Sequence, residues 1–102
     1  MKDARIISPS DVRLYYFGSK DVLLSTDEKE NRKKKLQIAQ LMSSHKHTVS
    51  IFMKLPTGET VEMLSDKIDY SGDFVIIKGG FSIPVWAILD VYSKSPSEMP
   101  TI

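Results

Sequence analysis

Residues 48–58 read TVSIFMKLPTG, and the fold turns on them. Val49, Ile51, Met53 and Leu55 alternate with Ser50, Phe52 and Lys54, the two-residue period of a strand with one buried face. Pro56-Thr57-Gly58 is a turn that joins hairpins. Alternation resumes from Glu59 to Met63 and runs on through Leu64-Ser65-Asp66-Lys67-Ile68. Tyr70-Ser71-Gly72-Asp73 marks another turn. Residues 74–78 read as a compact buried strand, Gly79-Gly80 as a two-residue hairpin turn, and residues 81–84 as a short strand. Pro84 belongs at an edge or an end, because it lacks the N–H that a central ladder uses. Val85-Trp86-Ala87-Ile88 fits one helical turn, and residues 89–92 a last strand. The expected core is Val49, Ile51, Met53, Val61, Met63, Ile68, Phe74, Ile76, Ile83, Ile88, Leu89 and Val91, capped by Leu41 and Met42.

Upstream lies a helix. Ser25-Thr26-Asp27-Glu28 has capping-box spacing, a hydroxyl followed three residues later by Glu. Leu24 stands where a hydrophobic staple would sit. Asp27, Glu28 and Glu30 complement the positive end of the helix dipole. Glu28–Arg32 and Glu30–Lys34 are favourable pairs one turn apart. No Pro or Gly occurs from residue 25 to 55. Leu36, Ile38, Ala39, Leu41 and Met42 all fall in the second half. The spacing predicts a helix over 26–43, solvated at its front and docked at its rear.

Residues 1–24 carry weaker signals. Ser8-Pro9-Ser10-Asp11 is a turn, and residues 12–17, VRLYYF, read as a strand with Val12, Leu14 and Tyr16 on one face. Gly18-Ser19-Lys20-Asp21 breaks it. The division expected is an N-terminal segment over 1–24, a helix-plus-barrel domain over 25–93 and a flexible tail over 94–102. The fold class expected is α+β, mainly β: an N-terminal helix followed by a five-stranded Sm-like small barrel, whose closure would hide the strand edges.

Composition narrows the functions. The chain has 102 residues, enough for one modest core, and no cysteine, which excludes disulfides, thiolate metal sites and a cysteine nucleophile. No apolar run approaches the ~20 residues of a membrane span. The opening MKDARIISPS has no apolar stretch of the secretory kind, so a cytoplasmic location is expected. Net charge is +1, but it is unevenly placed: −1 over residues 1–28, +6 over 29–54 and −4 over 55–102. Such asymmetry steers partners and says nothing of fold.

The stretch 35–91 resembles the YolD-like proteins of Gram-positive bacteria. The shared features are the charged helix, the V-x-I strand at Val49-Ser50-Ile51 and the glycine hairpin at Thr57-Gly58-Glu59. Ile68-Asp69 follows, and then the closing I-P-x-x-x-I-x-x-V segment from Ile83 through Pro84 and Ile88 to Val91. The family's opening Arg-Gly and Lys-Trp element has no counterpart in residues 1–24. The resemblance implies a small cytoplasmic protein of a kind often encoded beside a translesion DNA polymerase and proposed as an accessory to it. The strand layout is also similar to that of Sm-like RNA binders, although Pro84-Val85-Trp86-Ala87 replaces the Lys-His pair that bacterial ones carry before the last strand.

Arg32, Lys33, Lys34 and Lys35, with Lys46 after the helix, form the sharpest motif. It reads either as a phosphate-contacting patch, with salt-dependent binding, or as a solvated helix face. His45 and His47 lack a third metal ligand nearby. Tyr15, Tyr16 and Phe17 read as a base-stacking platform or as a cluster half in the core and half at an interface, and Trp86 as a partner site if exposed. No nucleophile elbow, zinc-protease helix, phosphate loop or dinucleotide fingerprint is present. The expectation is therefore no enzyme and no cofactor. Three functions stand: a non-catalytic adaptor for a protein such as a DNA-repair polymerase, a nucleic-acid binder using the basic helix, and a structural homo-oligomer.

Overall fold

The computed structural model describes residues 4–94 of the chain, without the side chain of Lys94. The flexible tail expected at 94–102 lies, apart from the Lys94 backbone, outside the described residues. A first strand, β1 (Arg5–Ile7), precedes a 3-10 turn at Pro9–Leu14 and the helix α1 (Thr26–Ser44). Then come β2 (Thr48–Lys54), β3 (Thr60–Ser65), β4 (Ile68–Ser71), β5 (Phe74–Ile77), β6 (Ser82–Pro84), a 3-10 turn at Val85–Ala87 and β7 (Ile88–Lys94).

The helix begins where its capping box dictates. Ser25 Oγ accepts the Glu28 N–H at 3.1 Å, and the Ser25 N–H donates back to Glu28 Oε1 at 3.4 Å. Leu24 does not staple it: that side chain is 91% exposed. The helix closes through the Met42 carbonyl, which accepts N–H bonds from both His45 and His47, with Lys46 in the left-handed region at φ 68°.

The strands form two open sheets, one ordered β1-β3-β2-β7 and the other β4-β5-β6. The expected N-terminal helix and closed five-stranded barrel are therefore corrected: the helix lies mid-chain and seven strands leave both sheets open. Local chemistry explains the breaks. After β3, Ser65 Oγ donates to the Lys67 carbonyl and accepts the Lys67 N–H, a side-chain turn that takes these groups away from a ladder. At the other end β6 is three residues long and finishes at Pro84, which has no N–H to pair with a further strand. The expected strand at 12–17 is also corrected. Pro9 enters a 3-10 turn in its place, and β1 pairs in parallel with β3, Ile7 opposite Met63.

The hairpin at Gly58 forms as read. Leu55 N–H reaches the Glu59 carbonyl at 2.8 Å, and Gly58 takes φ 93°. In β3 the alternation holds and in β2 it holds except at Ser50: Val49, Ile51, Met53, Val61 and Met63 are all buried, and Ser50, on the opposite face, is buried as well, its hydroxyl donating to Glu62. Ile68, Ile83, Ile88 and Val91 join them, as do Leu36 and Ala39 from α1 and Ile7 and Val12 from the N-terminal segment. In β5 the expected faces are reversed: Val75 and Ile77 point inward, while Phe74 and Ile76 are exposed. Leu89 and Met42 are half-buried and Leu41 is exposed, so none of the three belongs to the core.

Candidate interaction surfaces

The basic run does not form one patch. Successive helical residues turn by about 100°, so four in a row point in four directions. Arg32 points inward and is 6% exposed. Its Nη1 and Nη2 donate to Asp21 Oδ1 and Oδ2 at 2.8 and 2.7 Å, and Nη1 also reaches the Ile88 carbonyl at 3.0 Å. Arg32 thus ties the N-terminal loop to the start of β7 and is removed from the expected nucleic-acid surface. Lys35 is committed as well. Its Nζ lies 2.8 Å from Asp90 Oδ1 and 5.0 Å from the centre of the Tyr92 ring. Lys33 and Lys34 are exposed and have no ion-pair partner among the described residues.

These pairs set the local charge states. Burial pushes the Asp21 carboxyl up, but hydrogen bonds from Arg32 and the Leu23 N–H outweigh it and hold the group below its ordinary value. Asp90 follows the same pattern: burial raises it, and bonds from Lys35, Tyr92 and the Val91 N–H bring it below its ordinary value. The same contact raises the Lys35 ammonium and the Tyr92 hydroxyl.

Lys46 sits apart from Lys33 and Lys34, beyond the end of α1. There an open groove of about 1130 Å³ runs between α1 and the β4–β5 edge, with Lys46, Lys67, Lys78, Asp66, Asp69 and Ile76 among its walls. Gln40 guards that edge, its Oε1 accepting the Tyr70 N–H at 2.6 Å. His45 and His47 have no cluster around them: among the described residues no group of three His, Cys, Asp or Glu is placed to hold a metal. No helix among the described residues is long and apolar enough to cross a membrane.

The aromatic triplet is divided. Tyr15 and Phe17 pack partly against the core, and the Tyr15 hydroxyl accepts a bond from Arg5 at 2.8 Å. Tyr16 faces solvent. The three therefore do not make a shared platform. Trp86 is half-buried. Its Nε1 donates to the Gly18 carbonyl at 3.0 Å, and its ring meets Phe74 edge-on with centroids 5.7 Å apart.

Phe74 and Ile76 were not legible as surface residues. β5 is the middle strand of its sheet, and its outer face carries Phe74 between Ser71 and Pro84 and Ile76 between Asp69 and Ser82. Phe74 is 46% and Ile76 41% exposed, so two large apolar side chains stand partly open on one sheet face, with the Trp86 ring packed on Phe74 and Pro84 beside it buried. The run Phe74-Val75-Ile76-Ile77 is apolar at every position. It carries no alternation from which to choose the inner face.

Compared with known proteins, the chain matches no family model, no curated protein and no solved structure.

Proposed function

We propose that this chain is a non-catalytic adaptor that binds a protein partner through the outer face of the β4-β5-β6 sheet. One observation carries the reading: the central strand of that sheet is apolar on both faces, and the large side chains on its outer face, Phe74 and Ile76, are 46% and 41% exposed. Aromatic residues flanked by polar ones are the usual anchors of protein interfaces. Trp86, singled out from the sequence, borders the same face through Phe74. The partner implied by the YolD-like resemblance is a lesion-bypass DNA polymerase in the cytoplasm.

The basic helix gives weaker support to nucleic-acid binding, because Arg32 and Lys35 are spent on Asp21 and Asp90. The homo-oligomer reading shares the same apolar face and differs in what covers it. The experiment is titration calorimetry of nuclease-treated protein against a purified lesion-bypass polymerase from the same genome, with sedimentation of the protein alone. The adaptor reading expects binding that a Phe74→Ser, Ile76→Ser double variant loses. Self-association abolished by that variant, with no polymerase binding, would assign the face to a second copy.

A further inference from the structure

A second concave surface shares no lining residue with that sheet face. It is a cleft of about 460 Å³ between the 16–22 loop and the end of β2, walled by Tyr16, Phe17, Lys20, Asp21, Lys54 and Pro56. We propose that this cleft binds single-stranded nucleic acid, with one base stacked on Tyr16 and the flanking phosphates held by Lys20 and Lys54.

The ring comes first. Tyr16 is 75% exposed, the largest exposure of any aromatic in the described chain, while its neighbours Tyr15 and Phe17 turn toward the core. An exposed aromatic with anchored neighbours presents a π-face at little ordering cost, and every base can stack on one. In a duplex both faces of a base are already stacked, so only an unpaired base can lie on this ring.

The charges agree. Lys20 and Lys54 are exposed on the cleft's two sides and have no ion-pair partner among the described residues. The carboxylate in the wall, Asp21, would repel a phosphate if it were free. Both of its oxygens are instead occupied by Arg32, and Oδ1 also accepts the Leu23 N–H at 2.9 Å. The burial of Arg32 thus removes one cation from the helix surface and neutralises the acid of this cleft.

The walls are held in place before any ligand arrives. The Gly18 carbonyl accepts from Trp86 Nε1, and the Val22 N–H donates to the Trp86 carbonyl at 2.8 Å, so the loop is pinned at both ends. Gly18 takes φ 74°, which favours glycine, and a Cβ there would come within 3.3 Å of the Pro56 ring on the opposite wall. The inference does not rest on the adaptor reading, which uses a different face.

The test is fluorescence anisotropy with a labelled oligo-dT about twelve nucleotides long, starting at ~50 mM salt, where screening is weak. Wild type should bind. Tyr16→Ala should weaken binding about fivefold or more and Tyr16→Trp should not, as expected for stacking. A Lys20→Gln, Lys54→Gln double variant should flatten the log–log salt slope by about 0.7 for each lost phosphate contact. A Lys33→Gln, Lys34→Gln double variant should leave binding unchanged. All of these side chains are exposed, and unchanged melting temperatures would confirm intact folds. The proposal is overturned by a wild type that binds no oligonucleotide, by unchanged affinity in Tyr16→Ala, by a preference for duplex, or by loss of binding in the helix variant.

Discussion

Arg32 holds Asp21 by two parallel hydrogen bonds of 2.8 and 2.7 Å, joining the middle of α1 to a loop eleven residues upstream. The guanidinium fork matches the carboxylate geometry, and the third bond, to the Ile88 carbonyl, fastens β7 to the same point. One side chain thereby links three parts of the chain. Its Nε–H is buried without a protein partner, so the arrangement carries a desolvation cost.

Removing one member of the pair should therefore be expensive. Asp21→Asn leaves a buried cation uncompensated and should destabilise the protein by about 3–5 kcal/mol, less by whatever solvent reaches the carboxylate side. Chemical denaturation followed by circular dichroism measures it. A change below about 1 kcal/mol would show that the pair is no tether.

Stability should fall at both ends of the pH scale. Asp21 and Asp90 are held below their ordinary value of 3.8 in the folded chain. Their contribution is full above that value and is lost as pH drops through the lower folded one. Lys35 and Tyr92 are raised above 10.5 and 10.0, so their contribution is full below those values and is lost as pH rises past them. Melting temperature against pH should show a plateau between these limits. Lys35→Met should flatten the alkaline fall.

The two ends of α1 predict opposite signs. Ser25→Ala removes the capping oxygen that accepts the Glu28 N–H and should cost about 1 kcal/mol. Lys46→Gly should stabilise by about 1 kcal/mol, because φ 68° suits glycine and strains a side chain. Paired urea titrations of the two variants decide both.

Register in β5 is tested by adjacent residues. Ile77→Ala truncates a side chain that is 3% exposed and should cost about 2–5 kcal/mol. Ile76→Ala, on the open face, should cost less than about 1 kcal/mol. Equal losses would mean that both faces are covered.

Sequence legibility followed the strength of local signals. The capping box at Ser25, the Gly58 hairpin and the alternation of β2 and β3 each state one structure, and all three formed. β5 has no polar residue to mark a face, so its sequence does not reveal that Phe74 and Ile76 face outward. Whether the sheet closes depended on two small features, the Ser65–Lys67 side-chain turn and the shortness of β6, neither of which alters the hydrophobic pattern. β1 was invisible because a parallel partner far along the chain leaves no local trace in three residues. Among site residues, Trp86 and the Tyr15-Tyr16-Phe17 cluster are legible from their chemistry and the basic run from its charge, but which of the three aromatics faces solvent is not. That Arg32 turns inward needs knowledge of Asp21 in space, since nothing in the sequence spacing pairs a loop acid with a helix residue one element later.

The central claim is that the open face of β5 receives a protein. The most direct measurement is the affinity of a purified lesion-bypass polymerase for wild type and for the Phe74→Ser, Ile76→Ser variant, both nuclease-treated and of matched melting temperature. The account predicts measurable wild-type binding, weakened at least about tenfold in the variant, as expected when interface anchors are lost, and unmoved by Lys33→Gln, Lys34→Gln. No wild-type binding, or binding that survives the double substitution on β5, would contradict it.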